Sequence, residues 1–379
     1  MKAVLGKAAV ILLLPFLAAK AWLSRAREHN GSDPLKPKTW YRRLLEGTKC
    51  SDGSPYYVYF KKGESKNLIV YFSGGGAAWN QETAAQPMTW RTVIKPDGFY
   101  SSSLNIFSDL TLVGILEKSN PKNPFDSWNA IYIPYVSADM HVGNREFPYV
   151  AADGSKKILY HNGIANVKQS LAAGVSIFPE VDRLVIAGES AGAFACVAYA
   201  ELASSLWPKA SQVAIVSDSS SIWNPHWVEV LRDIWNSEEV LWQGLSGDGE
   251  LIADWFERVS KNLPDALLLH YNSAFDNILS PFQHLLNANE FAVNETALKN
   301  YNEHLKIAVR RLSKLKNYSS FISTFGKDEM GSTPHTAARY PNRYYAKTPE
   351  GPSFAEWLDK ACCQPGGMKN PGNVGDENL

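Results

Sequence analysis

From Tyr56 onward the chain alternates between short apolar runs and amphipathic or polar stretches. Tyr56-Tyr57-Val58-Tyr59-Phe60 reads as an early strand. Leu68-Ile69-Val70-Tyr71-Phe72 is unbroken and β-rich, the pattern of a strand buried on both faces. Ala130-Ile131-Tyr132-Ile133-Pro134 repeats it, with Pro134 ending the run. Arg183–Ala187, Gln212–Val216 and Ala266–Tyr271 predict further strands, and Tyr318–Phe325 a last one. Helical spacing covers His161–Phe178, Ala191–Leu206 and Phe354–Lys360. Trp223–Phe256 and Phe282–Leu315 carry extra helices, expected as insertions over the C-terminal edge of the sheet. Strands that alternate with helices predict an α/β fold, a mostly parallel sheet with helices on both faces. No Pro/Gly/Ser linker divides the chain after residue 40, so residues 41–379 are expected to form a single domain.

The start of the chain has a different pattern. Lys2 and Lys7 precede an apolar run from Ala8 to Ala19, and Ala19-Lys20-Ala21 fits a small-residue cleavage site. Residues 1–21 therefore read as a secretory signal peptide, with a signal anchor as the lesser reading. The run is short against the roughly 20 residues a membrane-spanning helix needs. Residues 22–40, polar from Ser24 to Lys38, read as a linker. The expected location is secreted or cell-surface, with a membrane touched only through an N-terminal anchor. Asn30, Asn294 and Asn317 head glycosylation sequons, which matter only in a eukaryotic secretory host.

Composition narrows the function classes. Lys+Arg and Asp+Glu are both 38, and this balance argues against nucleic acid as a partner. Hydrophobic residues at 45% and charged residues at 20% exclude a disordered chain. The four cysteines are too few for a disulfide scaffold, and neither they nor the histidines show zinc spacing. Adjacent Cys362 and Cys363 do not easily bond each other. One of them would bond Cys50 only if the ends of the chain lie together. The 12 tryptophans are mostly core by default, with Trp79, Phe99, Tyr100 and Trp223 as candidates for a substrate-cleft wall.

The sharpest motif is Gly188-Glu189-Ser190-Ala191-Gly192, a G-x-S-x-G that follows a predicted strand and opens a small-residue helix. That context marks a nucleophile elbow, in which a strained turn lifts the Ser190 hydroxyl above the sheet. The helix start brings free N–H groups and partial positive charge to the reacting carbonyl, so the Ala191 amide is one expected oxyanion donor. Ser73-Gly74-Gly75-Gly76 follows the Leu68–Phe72 strand, where esterases carry a glycine loop, and Gly74 or Gly75 supplies the second donor. A phosphate cradle would end in Gly-Lys-Ser/Thr, whereas Ala77-Ala78-Trp79 follows here.

In order, Cys50–Tyr57, the glycine loop, Trp128-Asn129, the serine elbow and Asn272-Ser273-Ala274-Phe275-Asp276 resemble the pectin acetylesterase and Notum carboxylesterase family over about residues 48 to 340. The resemblance implies an α/β-hydrolase that cleaves carboxylic esters, either acetyl groups on pectin or palmitoleate on a protein. Two departures stand out. Ser73 replaces the usual Glu before the glycines, and Ala77-Ala78-Trp79 replaces Gly-Trp-Cys after them.

The fold's order is Ser, then acid, then His. Asp276 follows the second strand beyond the nucleophile and sits in the segment that carries the family's acid. Asp218 follows the first such strand and reads as a turn or pocket-wall residue. Of the later histidines, His284 begins a helix and His304 lies in a charged helical face. His335 occupies a loop after the last strand, the expected place for the base. Ser190, Asp276 and His335 thus form the expected triad. Gly74, Gly75 and Ala191 are the candidate oxyanion hole and Trp79 a candidate substrate contact; no metal or other cofactor is required.

The expected reaction is hydrolysis of an acyl ester through an acyl-enzyme on Ser190, with deacetylation of a polysaccharide such as pectin as the first reading. A long-chain acyl esterase, a non-catalytic binding module and a peptidase are the alternatives. Pro87–Phe107 and Asp139–Pro148 are expected rim loops, with His141 and Arg145 as contacts to an acidic sugar.

Overall fold

Burial on both faces is what turns the apolar runs into one sheet. The computed structural model describes residues 26–379 except 32, 89–97, 105–107 and 289. Its main sheet has nine strands: β1 (Arg27–Glu28), β2 (Trp40–Leu44), β3 (Tyr57–Lys61), β4 (Leu68–Phe72), β5 (Asn129–Ile133), β6 (Arg183–Glu189), β7 (Gln212–Asp218), β8 (Leu267–Ser273) and β9 (Tyr318–Ser323). Their spatial order is β1-β2-β3-β5-β4-β6-β7-β8-β9. From β5 to β9 every pairing is parallel, while β3 runs antiparallel to both β2 and β5.

Period-two alternation sends each strand's side chains into two cores. Leu68, Val70 and Phe72 of β4 join Leu184 and Ile186 of β6 on one face. Ile69 and Tyr71 join Val185 and Ala187 on the other. The first face is covered by α1 (Gly163–Ile177), α2 (Ala191–Ala198), α3 (Ala200–Leu206), α4 (Leu251–Asn262), α5 (Leu279–Ala288) and α6 (Glu295–Leu312). The second is covered by the C-terminal segment, where Phe354, Trp357 and Leu358 of α7 (Phe354–Leu358) are buried. Asn294 caps α6 by accepting the Ala297 amide at 2.8 Å.

Several expectations change. Residues 22–40 were expected as a linker, but their described part is laid along the sheet edge. Arg27–Glu28 pairs with Tyr41–Arg42, and Ala26 and Trp40 are buried. The apolar pattern underweights this segment because its strand is held by backbone bonds at an edge. The expected signal segment, residues 1–21, lies outside the described residues. The Ala191–Leu206 helix breaks at Tyr199 (φ −100°, ψ 8°), whose ring stacks on Phe72 and whose hydroxyl donates to the His141 carbonyl at 2.8 Å. Part of the Asp139–Pro148 loop is one arm of a hairpin, Arg145–Val150 against Lys156–His161. All four cysteines are free thiols. Cys50 packs with Tyr56 and Val136, whereas Cys362 lies in the C-terminal core, so the two ends do not meet as a disulfide would require.

Candidate active site

Strand β6 ends at Glu189 and α2 begins at Ala191, which leaves Ser190 alone in the turn with φ +53° and ψ −124°. A non-glycine residue in that region is strained and persists only where its surroundings hold it. The flanking glycines show why the motif needs them. A Cβ on Gly188 would lie 2.0 Å from the Gly192 carbonyl oxygen, and one on Gly192 would lie 2.1 Å from the Phe72 carbonyl oxygen. The Ser190 amide donates to the Asp218 carbonyl at 2.8 Å. Ala191 opens the helix, so its N–H has no partner within the helix.

The glycine loop leaves the end of β4 and passes directly against the elbow. A Cβ on Gly74 would come within 2.5 Å of Ser190 Cβ. Among the described residues, no backbone acceptor takes the amide of Gly74 or Gly75. Behind the loop, Ser73 is held at three points. Its amide donates to the Ile133 carbonyl at 3.1 Å, its Oγ accepts the Tyr135 amide at 2.8 Å, and its carbonyl accepts His141 Nε2 at 3.0 Å. His141 is buried, and desolvation lowers its pKa to about 4 despite the Ser73 carbonyl. The neutral ring carries its proton on Nε2.

His141 sits in a left-handed run with Ala138 and Met140. Asp139 holds that run, accepting bonds from Ser137 Oγ and the amides of His141, Gly143 and Gly163. Burial raises Asp139 to about 7 against those bonds. His141 is therefore a support of the glycine loop and not a rim contact. Arg145 is spent on the Asp233 carbonyl.

Asp276 and His335 meet where the loop after β8 bridges the loop after β9 at Thr333. His335 Nδ1 lies 2.7 Å from Asp276 Oδ2, and Asp276 Oδ1 accepts the amides of Ile278 and Leu279 at 2.8 Å each. Asp276 is wholly buried. His335 Nε2 is buried and has no hydrogen-bond partner among the described residues. Ser190, Ala191, Gly74, Gly75 and His335 all line one cavity of about 280 Å³. Asp218 does not reach His335's ring nitrogens; its Oδ2 accepts the amides of Ala337 and Ala338. His284 and His304 lie away from this cavity. The first is 3.4 Å from Glu290, and the second is paired with buried Glu250 at 2.9 Å and stacked on Trp223.

Met88, Met140, Phe194, Ile222, Leu279 and Phe282 give the cavity an apolar wall. Trp79, expected to contact substrate, stands one layer behind, with its ring 6.0 Å from Phe282 and 6.5 Å from Phe99. Phe99 packs on Phe282, and the Tyr100 hydroxyl donates to the Ala84 carbonyl. Phe282, on α5, lines the cavity in its place, a placement the local sequence does not encode. Much of the expected Pro87–Phe107 rim lies outside the described residues; its described part brings Met88 and Ser101 to the cavity. A second cavity of about 190 Å³ shares Gly74, Ser101 and Arg339 with the first and adds Ser103, Thr111 and Tyr132.

Besides the apolar wall, the sequence reading missed Glu189 and Arg339. Arg339 Nε pairs with Glu189 Oε1 at 2.9 Å, and Glu189 is 1% exposed. A charged residue inside the elbow motif was the available signal. Among the described residues no group of three or more His, Cys, Asp or Glu side chains is arranged to hold a metal ion.

A family model described as Pectinacetylesterase matches residues 38–236, more than half of the chain, and includes both the glycine loop and Ser190. Pectin acetylesterases 11 and 7 of Arabidopsis thaliana are each 28% identical over 183 residues, 46% of this chain and 43% of the relative. The chain thus matches less than half the length of these curated relatives. Two crystal forms of the Wnt deacylase Notum from Drosophila superpose with TM-scores of 0.57 and 0.54 at 17% and 18% identity. They cover 84% and 81% of this chain, and 91% and 88% of Notum, a likeness of fold. An α/β-hydrolase sheet, a glycine loop against a serine elbow, and a family match spanning both lead to one assignment: the chain belongs to the pectinacetylesterase family.

Proposed function

We propose that the protein is a serine carboxylesterase that removes acyl groups from carbohydrate esters through an acyl-enzyme on Ser190. One observation carries the reading. His335 is held by Asp276 through Nδ1, has no partner at Nε2 among the described residues, and lines the same cavity as Ser190, Gly74 and Gly75, whose glycine amides meet no backbone acceptor there.

In this mechanism His335 Nε2 takes the proton from Ser190 Oγ as the oxygen attacks the ester carbonyl. Asp276 fixes the tautomer that leaves Nε2 free and stabilises the imidazolium. The amides of Ala191 and of Gly74 or Gly75 hold the oxyanion, each donor being worth about 3–4 kcal/mol in the transition state. His335 returns its proton to the leaving alcohol. Water, deprotonated by the same nitrogen, then releases the acid and regenerates Ser190.

Family membership supports an acetylated polysaccharide such as pectin as the substrate. The apolar wall of the cavity supports a second reading, in which the acyl group is longer than acetyl. The N-terminal apolar segment supports export, either secreted or anchored at the cell surface. The gathering of Ser190, His335 and Asp276 at one site speaks against a binding module without catalysis.

Hydrolysis of p-nitrophenyl esters from acetate to palmitate, by wild type and Ser190→Ala, tests the proposal. A Ser190-dependent rate greatest at acetate supports carbohydrate deacetylation. A peak at longer chains moves the substrate to the second reading. Failure to hydrolyse any ester in a Ser190-dependent way refutes the esterase.

A further inference from the structure

Two ties run between the elbow that carries Ser190 and the loop that carries His335, and both start at partnered strand ends. Glu189 and Asp218 are register partners at the C-terminal ends of β6 and β7, and both carboxylates are buried. Asp218 touches each side. Its carbonyl accepts the Ser190 amide at 2.8 Å. Its Oδ2 accepts the amides of Ala337 and Ala338 at 2.8 and 2.7 Å, just after His335. Its Oδ1 accepts the Ser219 hydroxyl at 3.0 Å. Glu189 makes the second tie, a charge contact without hydrogen-bond geometry to Arg339 of the same loop.

Both sides of this link are strained. Ser190 has φ +53° and Thr336, next to the base, has φ +55°. Such backbone needs external bonds to hold it. A buried carboxylate is also costly, and desolvation raises Asp218 to about 7 despite its two amide bonds. Asp218 lines neither cavity beside Ser190, so it has no direct contact with bound substrate.

We propose that Asp218 is a positioning residue that fixes His335 relative to Ser190, with the Glu189–Arg339 pair as a second brace. The role rests on the esterase reading of Ser190 and His335. Reacting groups must be held to within a fraction of an ångström, and a displacement of about 1 Å costs roughly 100-fold in rate. Losing the Asp218 acceptor frees the loop at Ala337 and Ala338 and lets His335 drift from Ser190. Substrate affinity changes less than the rate, because the apolar wall of Met88, Met140, Phe194, Ile222, Leu279 and Phe282 stands on other segments.

The test uses the full chain, a p-nitrophenyl ester and a fluorophosphonate that labels an activated serine. Asp218→Ala is expected to lower kcat and the labelling rate together by ~100-fold, with KM within about twofold. Asp218→Asn, which keeps a carbonyl acceptor, is expected to restore most of both. A labelling rate for Asp218→Ala within threefold of wild type overturns the proposal. So does an Asn variant as slow as the Ala variant, because charge and not the acceptor would then matter.

If Asp218→Ala does not fold, Asp218→Asn is combined with Arg339→Met. A combined loss larger than the product of the single losses supports two ties that back each other up; simple multiplication overturns it. His335→Ala is the control. Labelling of that variant at the wild-type rate would refute the esterase reading itself, and the positioning role with it.

Discussion

Gly74→Ala distinguishes the glycine loop as an oxyanion donor from the loop as a mere turn. The added Cβ would sit 2.5 Å from Ser190 Cβ and 2.7 Å from the Glu189 carbonyl oxygen. Carbon atoms in contact prefer about 3.5–4.0 Å, so the loop must retreat by about 1 Å. A retreat of that size moves the Gly74 and Gly75 amides away from the proposed oxyanion position. Displacement alone costs roughly 100-fold, and complete loss of one donor roughly 100- to 1,000-fold. The two describe the same event and do not add. The expected loss in kcat/KM is therefore ~100- to 1,000-fold, about 3–4 kcal/mol.

Gly75→Ala is the internal comparison. Its Cβ would meet the Tyr135 ring at 2.9 Å and Ser101 Oγ at 3.1 Å, both side-chain atoms. Side chains give more readily than the elbow backbone, so this variant is expected to lose less than about tenfold. Steady-state hydrolysis of p-nitrophenyl acetate, with thermal unfolding as the check on folding, gives both values. A folded Gly74→Ala enzyme within threefold of wild type would refute the assignment. A larger loss at Gly75 than at Gly74 would reverse the order of the two donors.

Stability against pH follows from five buried groups. Desolvation lowers His141 and His161 to about 4 and His270 to about 3, so between about 4 and 6.5 the unfolded chain holds three protons that the native chain lacks, and their contribution rises with pH. Asp139 and Asp218 are raised to about 7, so the native chain keeps two protons that the unfolded chain loses near 3.8, and their contribution falls over the same range. The net of one proton gives a rise of about 1.4 kcal/mol per pH unit that levels off near pH 6.5, below the range in which Lys61 titrates; urea unfolding from pH 5 to 6.5 that shows no rise would refute this balance. Lys61 is 1% exposed and lowered to about 8 by desolvation. Lys61→Met is expected to leave stability unchanged or raise it by up to about 3 kcal/mol, and a lower melting temperature would contradict that. Phe282→Ala, at a side chain 8% exposed, is expected to cost about 3–5 kcal/mol and to shift the preferred p-nitrophenyl ester to a longer acyl chain. An unchanged chain-length profile would remove Phe282 from the acyl wall.

The sheet was legible because parallel strands buried on both faces have to be written as continuous apolar runs. Leu68–Phe72 and Gln212–Val216 could hardly be anything else, and both are strands. The edge was not legible. β1 is short and exposed, and its neighbour β2, Trp40–Leu44, carries Arg42 and Arg43, so no apolar pattern announces either. The loops were partly legible. Glycine spacing marked the elbow, since Gly188 and Gly192 stand where any side chain would collide with backbone. Nothing comparable marked Phe282 or Met140 as cavity wall, because α5 and the Asp139 run reach the mouth through tertiary contacts.

The same distinction explains why Asp218 was read as a turn residue. Sequence order asks which acid stands at the right strand end for the proposed base, and Asp276 is the acid that meets His335 Nδ1. It does not ask what holds the backbone beside His335. Asp218 does that work with two amide bonds to residues more than a hundred positions away, and His141 does the equivalent for the glycine loop through the Ser73 carbonyl. In each case a buried polar side chain bears a desolvation cost and holds a backbone segment beside Ser190 at its tip. The groups proposed to touch substrate are therefore short motifs, readable by eye. The groups that set their geometry are single buried residues whose partners only the fold supplies.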